Sequence, residues 1–541
     1  MALDNLGSAL WDAANSMRGT MSADEYKDYL LGLIFYKHVS DSQLYYVVDL
    51  LEDREPESLQ EAQEIYEAAY NGDKEDWNDL QTELEEKFGF AISPEYTFTA
   101  FYNNINNNTF ATDQLRQAMR DIEQKVFTKD ENTQIRPYED LFEDFDIDSK
   151  SLGKTPMDRN NMLSDVMKKL QAINLHEYGA DALGDAYEYL ISEFAAGSGK
   201  KAGEFYTPQA VSTLITRIVT VDKKNKQGFS IYDPTMGSGS LLLQARNFIN
   251  EDCRNTIQFF GQELSHTTYN LARMNMILHN IPFTNQFFRH GDTLGPDWPT
   301  EEPTNYDSVV MNPPYSQNWS ADPGFLSDPR FQPYEKLAPK SKADFAFLLH
   351  GFYHLKTDGM MGIVLPHGVL FRGAGEGTIR KHLLENGSIY AVIGMPANIF
   401  FSTGIPTCIV ILKKNRDTRD VLFIDASKEY DAGKKQNTMN AGHIDKIVQA
   451  FIERKDIDKF AHLATFEEIK ENGYNLNIPR YVDTSEPEPE IDLDAVTVEM
   501  ENIDKEIKQA NNDLLAMLND LTFNTSEIEQ SMSKLIKVLE V

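Results

Sequence analysis

The chain has 541 residues, 85 acidic against 51 basic, for a formal net charge of −34. One hydrophobic core stops growing at roughly 250–300 residues, so two or three domains are expected. Hydrophobic residues at 41% and charged residues at 25% exclude wholesale disorder.

No apolar run approaches the roughly 18 residues of a membrane span. The N-terminal residues lack the basic and apolar regions of a signal peptide. The cysteines are Cys253 and Cys408, neither beside another Cys or a His. That excludes a disulfide framework, favours a reducing cytoplasm and leads us to expect no metal. The charge is unevenly placed. Residues 1–199 carry −24, residues 200–414 carry +2 and residues 415–541 carry −12. The total argues against binding nucleic acid, but the near-neutral middle does not.

From the N-terminus, Leu30, Ile34 and Phe35, then His38, recur at helical spacing within residues 26–48. Residues 59–86 are rich in Glu, Ala and Gln, most of them good helix formers, and FYNNINNNTF (101–110) reads as a polar loop. Residues 1–195 are therefore expected to form a helical domain. From about residue 228, the apolar runs GFSIYDP, TIQFFGQEL, DSVVMNPPY, MGIVLP, SIYAVIGMP, TCIVILKK and VLFIDA alternate with helical stretches. That pattern predicts an α/β domain over 196–484, with a mainly parallel sheet covered on both faces. After the acidic, proline-bearing SEPEPE (485–490), Met500, Ile503, Ile507, Ala510, Leu514, Met517 and Leu521 repeat at alternating three and four. Ile528, Met532, Leu535 and Leu539 repeat similarly, so residues 485–541 form amphipathic helices. A local hairpin and an intermolecular coil fit that spacing equally well.

The strongest motif is Asp233-Pro-Thr-Met-Gly237-Ser238-Gly239-Ser240, between an apolar strand and a helix. Glycines there let backbone approach a ligand closely. It is not a dinucleotide fingerprint, because position 242 is Leu, and GSGKK (197–201) fails the Walker A pattern. Glu263 ends the next strand, where an acid accepts from ribose hydroxyls. Asp292 ends the one after, where it can accept from an adenine amine. Three acids at successive strand tips describe a nucleoside pocket.

The strand 307–311 ends in Asn312-Pro313-Pro314-Tyr315. Two prolines make a rigid turn whose carbonyls are acceptors. Asn adds an uncharged acceptor and Tyr an aromatic face. Such a turn can hold a planar exocyclic amine by both hydrogens while its ring stacks. With an activated sulfonium methyl as electrophile, no strong base is needed, and positioning dominates. A base within a duplex reaches such a site only when flipped out. Upstream, GEFYTPQAV (203–211) suggests Thr207 capping a helix that opens at Pro208.

Taken together, Glu204-Phe205-Tyr206-Thr207-Pro208, the Asp233 to Gly239 turn, Glu263, Asp292 and Asn312-Pro313-Pro314-Tyr315 occur in the order of the gamma-type amino-methyltransferases. HTTYNLARMNMILHN (266–280), APKSKADFAFLLH (338–350) and YNLNIPRYV (474–482) extend the likeness. The whole chain resembles the modification subunit of type I restriction–modification systems, of the EcoR124-like branch.

The resemblance implies a Rossmann-like core using S-adenosyl-L-methionine to methylate adenine N6 in DNA. Asn312 and Pro313 would hold the amine and Tyr315 would stack on the base. Glu204 to Gln209, Gly237 to Ser240, Glu263 and Asp292 would line the cofactor pocket. Two modification subunits would flank one specificity subunit that reads double-stranded DNA, and a motor–nuclease subunit would join them. The C-terminal helices would serve that assembly. Phe345 and Phe347 would wall the base pocket, and Lys340, Lys342 and Arg372 would lend local phosphate contacts. Met236 departs from the small residue usual there. Methylation of cytosine N4 or a protein glutamine is the alternative within this chemistry, and a non-catalytic DNA- or partner-binding scaffold the alternative outside it. Glu468/Lys470 and Glu506/Lys508 match half a nuclease motif but read as solvated charge pairs.

Overall fold

A computed structural model describes residues 2–14, 21, 23–130, 133–176, 179–197, 207–297, 299, 304–400, 404–434, 436–485 and 492–539. The chain divides into two compact units, Met1–Asp483 and Thr484–Val541.

The first unit opens with helices α1 (Ala2–Ala14), α2 (Ala23–Glu52), α3 (Leu59–Tyr70), α4 (Lys74–Phe88), α5 (Phe98–Asn106) and α6 (Thr112–Glu123). A short hairpin, β1 (Phe127–Asp130) and β2 (Thr133–Ile135), precedes α7 (Pro156–Gln171) and α8 (Gly179–Gly197). Side-chain oxygens of Ser58, Asp73 and Thr155 accept first-turn N–H groups of α3, α4 and α7. Gly89 stops α4 at φ 82°. Leu30, Ile34 and Phe35 are fully buried on α2.

The asparagine-rich stretch departs from expectation. Residues 101–106 are the last turns of α5, not a loop. Thr97 caps that helix, and Phe98, Phe101 and Ile105 bury one face, which outweighs the weak helix propensity of asparagine.

The second half alternates strand and helix. It runs through α9 (Gln209–Val219), β3 (Ser230–Asp233), α10 (Ser240–Arg246), α11 (Glu251–Arg254), β4 (Gln258–Glu263), α12 (His266–Leu278), β5 (Gln286–His290) and β6 (Tyr306–Met311). It continues through α13 (Asp344–Tyr353), β7 (Leu355–Pro366), α14 (Ala374–Glu385), β8 (Ile389–Gly394), β9 (Thr407–Lys413), β10 (Val421–Asp425), α15 (Ala441–Glu453), β11 (Ala461–Ala464) and α16 (Phe466–Glu471). Among the described residues, nine strands form one sheet in the order β11-β10-β8-β9-β7-β6-β3-β4-β5. Its pairs are parallel except where β9 runs against β7 and β8, and β11 against β10. Helices α9, α10, α12 and α15 cover one face, and α13 and α14 the other. Helix α12 also sends Leu271, Met274 and Leu278 into the helical core.

Strand order reverses beside β3, with β4 and β5 on one side and β6 on the other. Ligands of open α/β sheets bind at that switch, outside the carboxyl ends of the strands. Asp233 is level with Gly261, so Glu263 stands two residues further out. Glu263 is level with His290, which puts Asp292 two beyond in turn.

The second unit consists of α17 (Leu493–Asn519) and α18 (Ser526–Leu539). Asp492 caps α17. Of its described residues only Leu518 is buried, and Met500, Ile503, Ile507, Leu514, Met517, Leu521, Ile528 and Leu535 are exposed. Among the described residues no helix is long and apolar enough to cross a membrane. Both cysteines are free and buried.

Candidate active site

The glycine turn needs its glycines. Gly237 and Gly239 sit at φ 54° and 81°, the left-handed region that L residues avoid. The turn is tied to the next strand by Met236 N–H donating to the Gln262 carbonyl (3.0 Å) and Gly237 N–H to Glu263 Oε2 (3.1 Å). The other oxygen of Glu263 accepts from Ser265 N–H at 2.9 Å. Burial raises the Glu263 pKa, against these backbone bonds. Met236 does not crowd the turn, because its thioether lies over Gly261, where any other residue would place a Cβ.

Asp233 is fully buried. Its Oδ1 accepts from Thr235 N–H (2.9 Å) and Oγ1 (3.3 Å), whereas Oδ2 has no partner among the described residues. Burial, reinforced by the nearby Glu263, pushes its pKa up to about 8 against the Thr235 bonds. An orphaned buried carboxyl oxygen beside two glycines that hold the turn at positive φ fits a cationic ligand with a polar nucleoside end.

Asp292 is exposed at the rim and accepts from Leu294 N–H at 3.0 Å. Its loop is anchored by Thr293 Oγ1, which donates to the Pro234 carbonyl at 2.6 Å.

Asn312 follows β6 directly, next to the glycine turn. Its Nδ2 donates to Thr207 Oγ1 at 3.1 Å, and its Oδ1 accepts from the Tyr315 hydroxyl at 2.7 Å. Pro313 is buried, and Pro314 and Tyr315 are half-buried. The Tyr315 ring meets Phe400 edge-on at 6.0 Å. Burial raises the Tyr315 pKa well above the usual phenol value, so the hydroxyl stays protonated.

Thr207 does not cap α9 as expected. The cap position is Pro208, the helix starts at the exposed Gln209, and the Thr207 hydroxyl goes to Asn312 instead. Glu204, Phe205 and Tyr206 lie outside the described residues. Ser238 and Ser240 are buried in the turn, the Ser238 carbonyl accepting from Asn275 Nδ2 at 2.9 Å.

The segment beyond the turn corrects several expectations. Phe345 and Phe347 are buried in the core beneath the sheet rather than presented to a pocket. Positions two apart point to roughly opposite faces of a helix, but α13 is buried from Asp344 to Phe352, so both rings meet apolar surroundings. Arg372 is not offered to a phosphate, since its guanidinium bonds Asp344 Oδ2 (3.2 Å) and Glu376 Oε1 (3.2 Å). Lys340 is exposed and Lys342 half-buried. Glu468 is paired with His462 at 3.0 Å, and Glu506 and Lys508 are exposed on α17, consistent with ordinary surface charges.

Sequence reasoning missed three buried charges. Arg330 donates to Asp328 (2.7 Å), to the Thr293 carbonyl (2.8 Å) and toward His350 (3.1 Å), tying the segment after the Asn-Pro-Pro-Tyr turn to the Asp292 loop. Glu188 of α8 is buried near Ser240, Asn275 and His279, and burial raises its pKa. Asp344 is fully buried and accepts from Ser316 N–H at 2.8 Å.

Comparison with known proteins identifies the family. The N-6 DNA Methylase family matches residues 178–490, and the HsdM N-terminal domain matches residues 6–170. The chain is similar to the type I restriction enzyme MpnII methylase subunit of Mycoplasma pneumoniae, at 34% identity over 96% of this chain and 97% of that one. It is similar to a crystal structure of a type I restriction-modification system methyltransferase subunit from Streptococcus thermophilus, at 57% identity and TM-score 0.85, covering 89% of this chain and all of that one. A chain from a structure of type I R-M complex assembly shares the fold, at TM-score 0.59 and 20% identity over 96% of this chain and 99% of that one.

Proposed function

The chain belongs to the N-6 DNA methylase family, as a type I methylase subunit, and from that premise we propose which of its residues carry out methyl transfer to adenine N6. The observation that carries the reading is the Asn312 to Tyr315 turn at the end of β6, beside the glycine turn at the end of β3.

S-adenosyl-L-methionine, when bound, supplies a methyl activated by its sulfonium. Asp233, Gly237 to Ser240, Glu263, Asp292 and Thr207 to Gln209 would hold it, and Glu204 to Tyr206 are assigned to it on the motif alone. The Asp233 carboxyl would complement the cationic part, and Glu263 and Asp292 would accept from the ribose and the adenine. Asn312 Oδ1 and the Pro313 carbonyl accept the two hydrogens of the target amine. That favours tetrahedral nitrogen and frees its lone pair. Pro314 keeps the turn rigid, and Tyr315 stacks on the flipped base. The Tyr315 hydroxyl now holds Asn312 Oδ1, so the incoming amine displaces it.

Thr207 orients the amide by taking Nδ2, leaving Oδ1 to the substrate. Thr207→Val should lower kcat about tenfold, the worth of one hydrogen bond, while Thr207→Ser stays near wild type. Equal rates for the two variants would remove Thr207 from this role.

Specificity for DNA sequence comes from a specificity subunit flanked by two copies of this chain, with a motor–nuclease subunit completing the complex. A single chain of net charge −34 has little phosphate affinity of its own. Purified alone at physiological salt, it should bind duplex DNA with Kd on the order of 10⁻⁴ to 10⁻⁶ M, and fluorescence anisotropy measures this. Nanomolar binding by the isolated chain would contradict the charge argument.

The deciding experiment is nucleoside mass spectrometry of DNA incubated with S-adenosylmethionine and the chain plus its specificity subunit. N6-methyladenine is expected. Label on cytosine N4 or on protein glutamine, or none at all, would sink the reading.

A further inference from the structure

We propose that Asp344 is a positioning residue for the base pocket, its buried carboxylate locking the backbone at Ser316 and so aiming Tyr315. The proposal rests on the reading that the Asn312 to Tyr315 turn receives the target base.

Ser316 follows Tyr315 and has φ 52°, a left-handed conformation that an L residue holds only under constraint. The constraint is visible. Ser316 N–H donates to Asp344 Oδ1 at 2.8 Å, with Asp344 fully buried in the first turn of α13. Asp344 Oδ2 accepts from Arg372 Nη2 at 3.2 Å, and Arg372 Nη1 reaches the buried Glu376 at 3.2 Å. The Arg372 backbone is held in turn, its carbonyl accepting from Arg380 Nη1 at 2.8 Å. Gly368 clears space for the guanidinium, since a side chain there would overlap it.

The clip closes a longer zipper. Ala343 N–H donates to the Gln317 carbonyl and Trp319 N–H to the Lys340 carbonyl, both at 2.9 Å. Residues 316–319 are thus laid against residues 340–344, with the carboxylate at the end nearest Tyr315. A buried ion pair is an expensive way to hold a loop in place. Its carboxylate oxygen here goes to the one backbone N–H whose residue sets the direction of Tyr315. Relaxation at Ser316 would shift the ring, and small misplacements of substrate-positioning groups are costly to rate.

The test uses the chain in complex with its specificity subunit, unmodified genomic DNA and S-adenosylmethionine. Asp344→Ala should lower kcat about 10²-fold while KM for S-adenosylmethionine stays within about threefold. Asp344→Asn keeps an acceptor for Ser316 N–H and should lose less. Adding Ser316→Gly to either variant should restore kcat about tenfold or more, because glycine adopts positive φ without strain, and should leave the lowered Tm unrestored. If Asp344→Ala does not fold, the Asp344→Asn pair carries the comparison. Wild-type kcat in both Asp344 variants, or no rescue by glycine, overturns the proposal. A wild-type complex that makes no N6-methyladenine overturns the parent reading instead.

Discussion

Replacing Asn312 with alanine is expected to abolish most methylation while leaving cofactor binding nearly intact. Asn312 is half-buried and, among the described residues, its side chain bonds Thr207 and Tyr315, so the fold should tolerate its loss. Removing one preorganised polar partner of a reacting group typically costs about 10²–10³-fold in kcat. The loss should appear in kcat rather than in the Kd for S-adenosylmethionine, because the acids proposed to hold the cofactor, Asp233, Glu263 and Asp292, lie at or just beyond the ends of β3, β4 and β5, whereas Asn312 follows β6 and reaches the proposed pocket through Thr207. Isothermal titration and single-turnover methylation separate the two. A variant retaining a tenth of wild-type kcat would show that Asn312 is not the amine acceptor.

Asp233→Asn should move stability and binding in opposite directions. The carboxyl has a pKa of about 8 in the folded chain against 3.8 as the ordinary value. Between those values the unfolded chain releases the proton while the folded chain keeps it, so the folded state binds more protons. Stability from this group therefore falls as pH rises from about 4 to 8, and it is fully present only below the unfolded pKa. A neutral asparagine escapes that cost. The ligand-free variant should melt several degrees higher than wild type near pH 8, with little difference near pH 4. It should also bind S-adenosylmethionine about tenfold or more weakly, since a buried carboxylate is lost from a cationic site. Differential scanning fluorimetry across pH, with and without cofactor, checks both halves. A lower Tm at pH 8 would mean that the buried carboxylate stabilises the ligand-free turn.

The strand tips were readable from sequence because each is punctuated. Apolar runs stop at Asp233-Pro234, Glu263 and Asn312-Pro313, and a chain that buries strands on both faces must place such breaks at an edge. The direction of β9 was not readable, because TCIVILKK buries equally well in either orientation. The asparagines of 103–107 concealed α5 because propensity is a weak prior beside three buried aromatic and aliphatic residues on one face. The supporting polar residues were least visible. Asp344 sits against an apolar run and looks like a surface cap. Its partner Ser316 is 28 residues away, and Thr207 meets Asn312 across 105 residues. Pairings at that range leave no local spacing to detect. Met236 stood out only as a departure from the usual small residue, because the space it fills belongs to a glycine on another strand.

The reversed strand has a further consequence for how such a protein diversifies. A parallel crossover must carry the chain back to the far end of the sheet, so its length is set by the sheet itself. Because β9 runs against β8, the chain leaves the sheet at Gly394 and re-enters it at Thr407 at the same end, the one carrying the Asn312 turn. That connection already contributes Phe400 against Tyr315. A loop anchored at both ends can double in length for only about 0.6 kcal/mol. Insertions and deletions can therefore accumulate here, reshaping the surroundings of the proposed base site at Tyr315 while every strand pairing stays as it is.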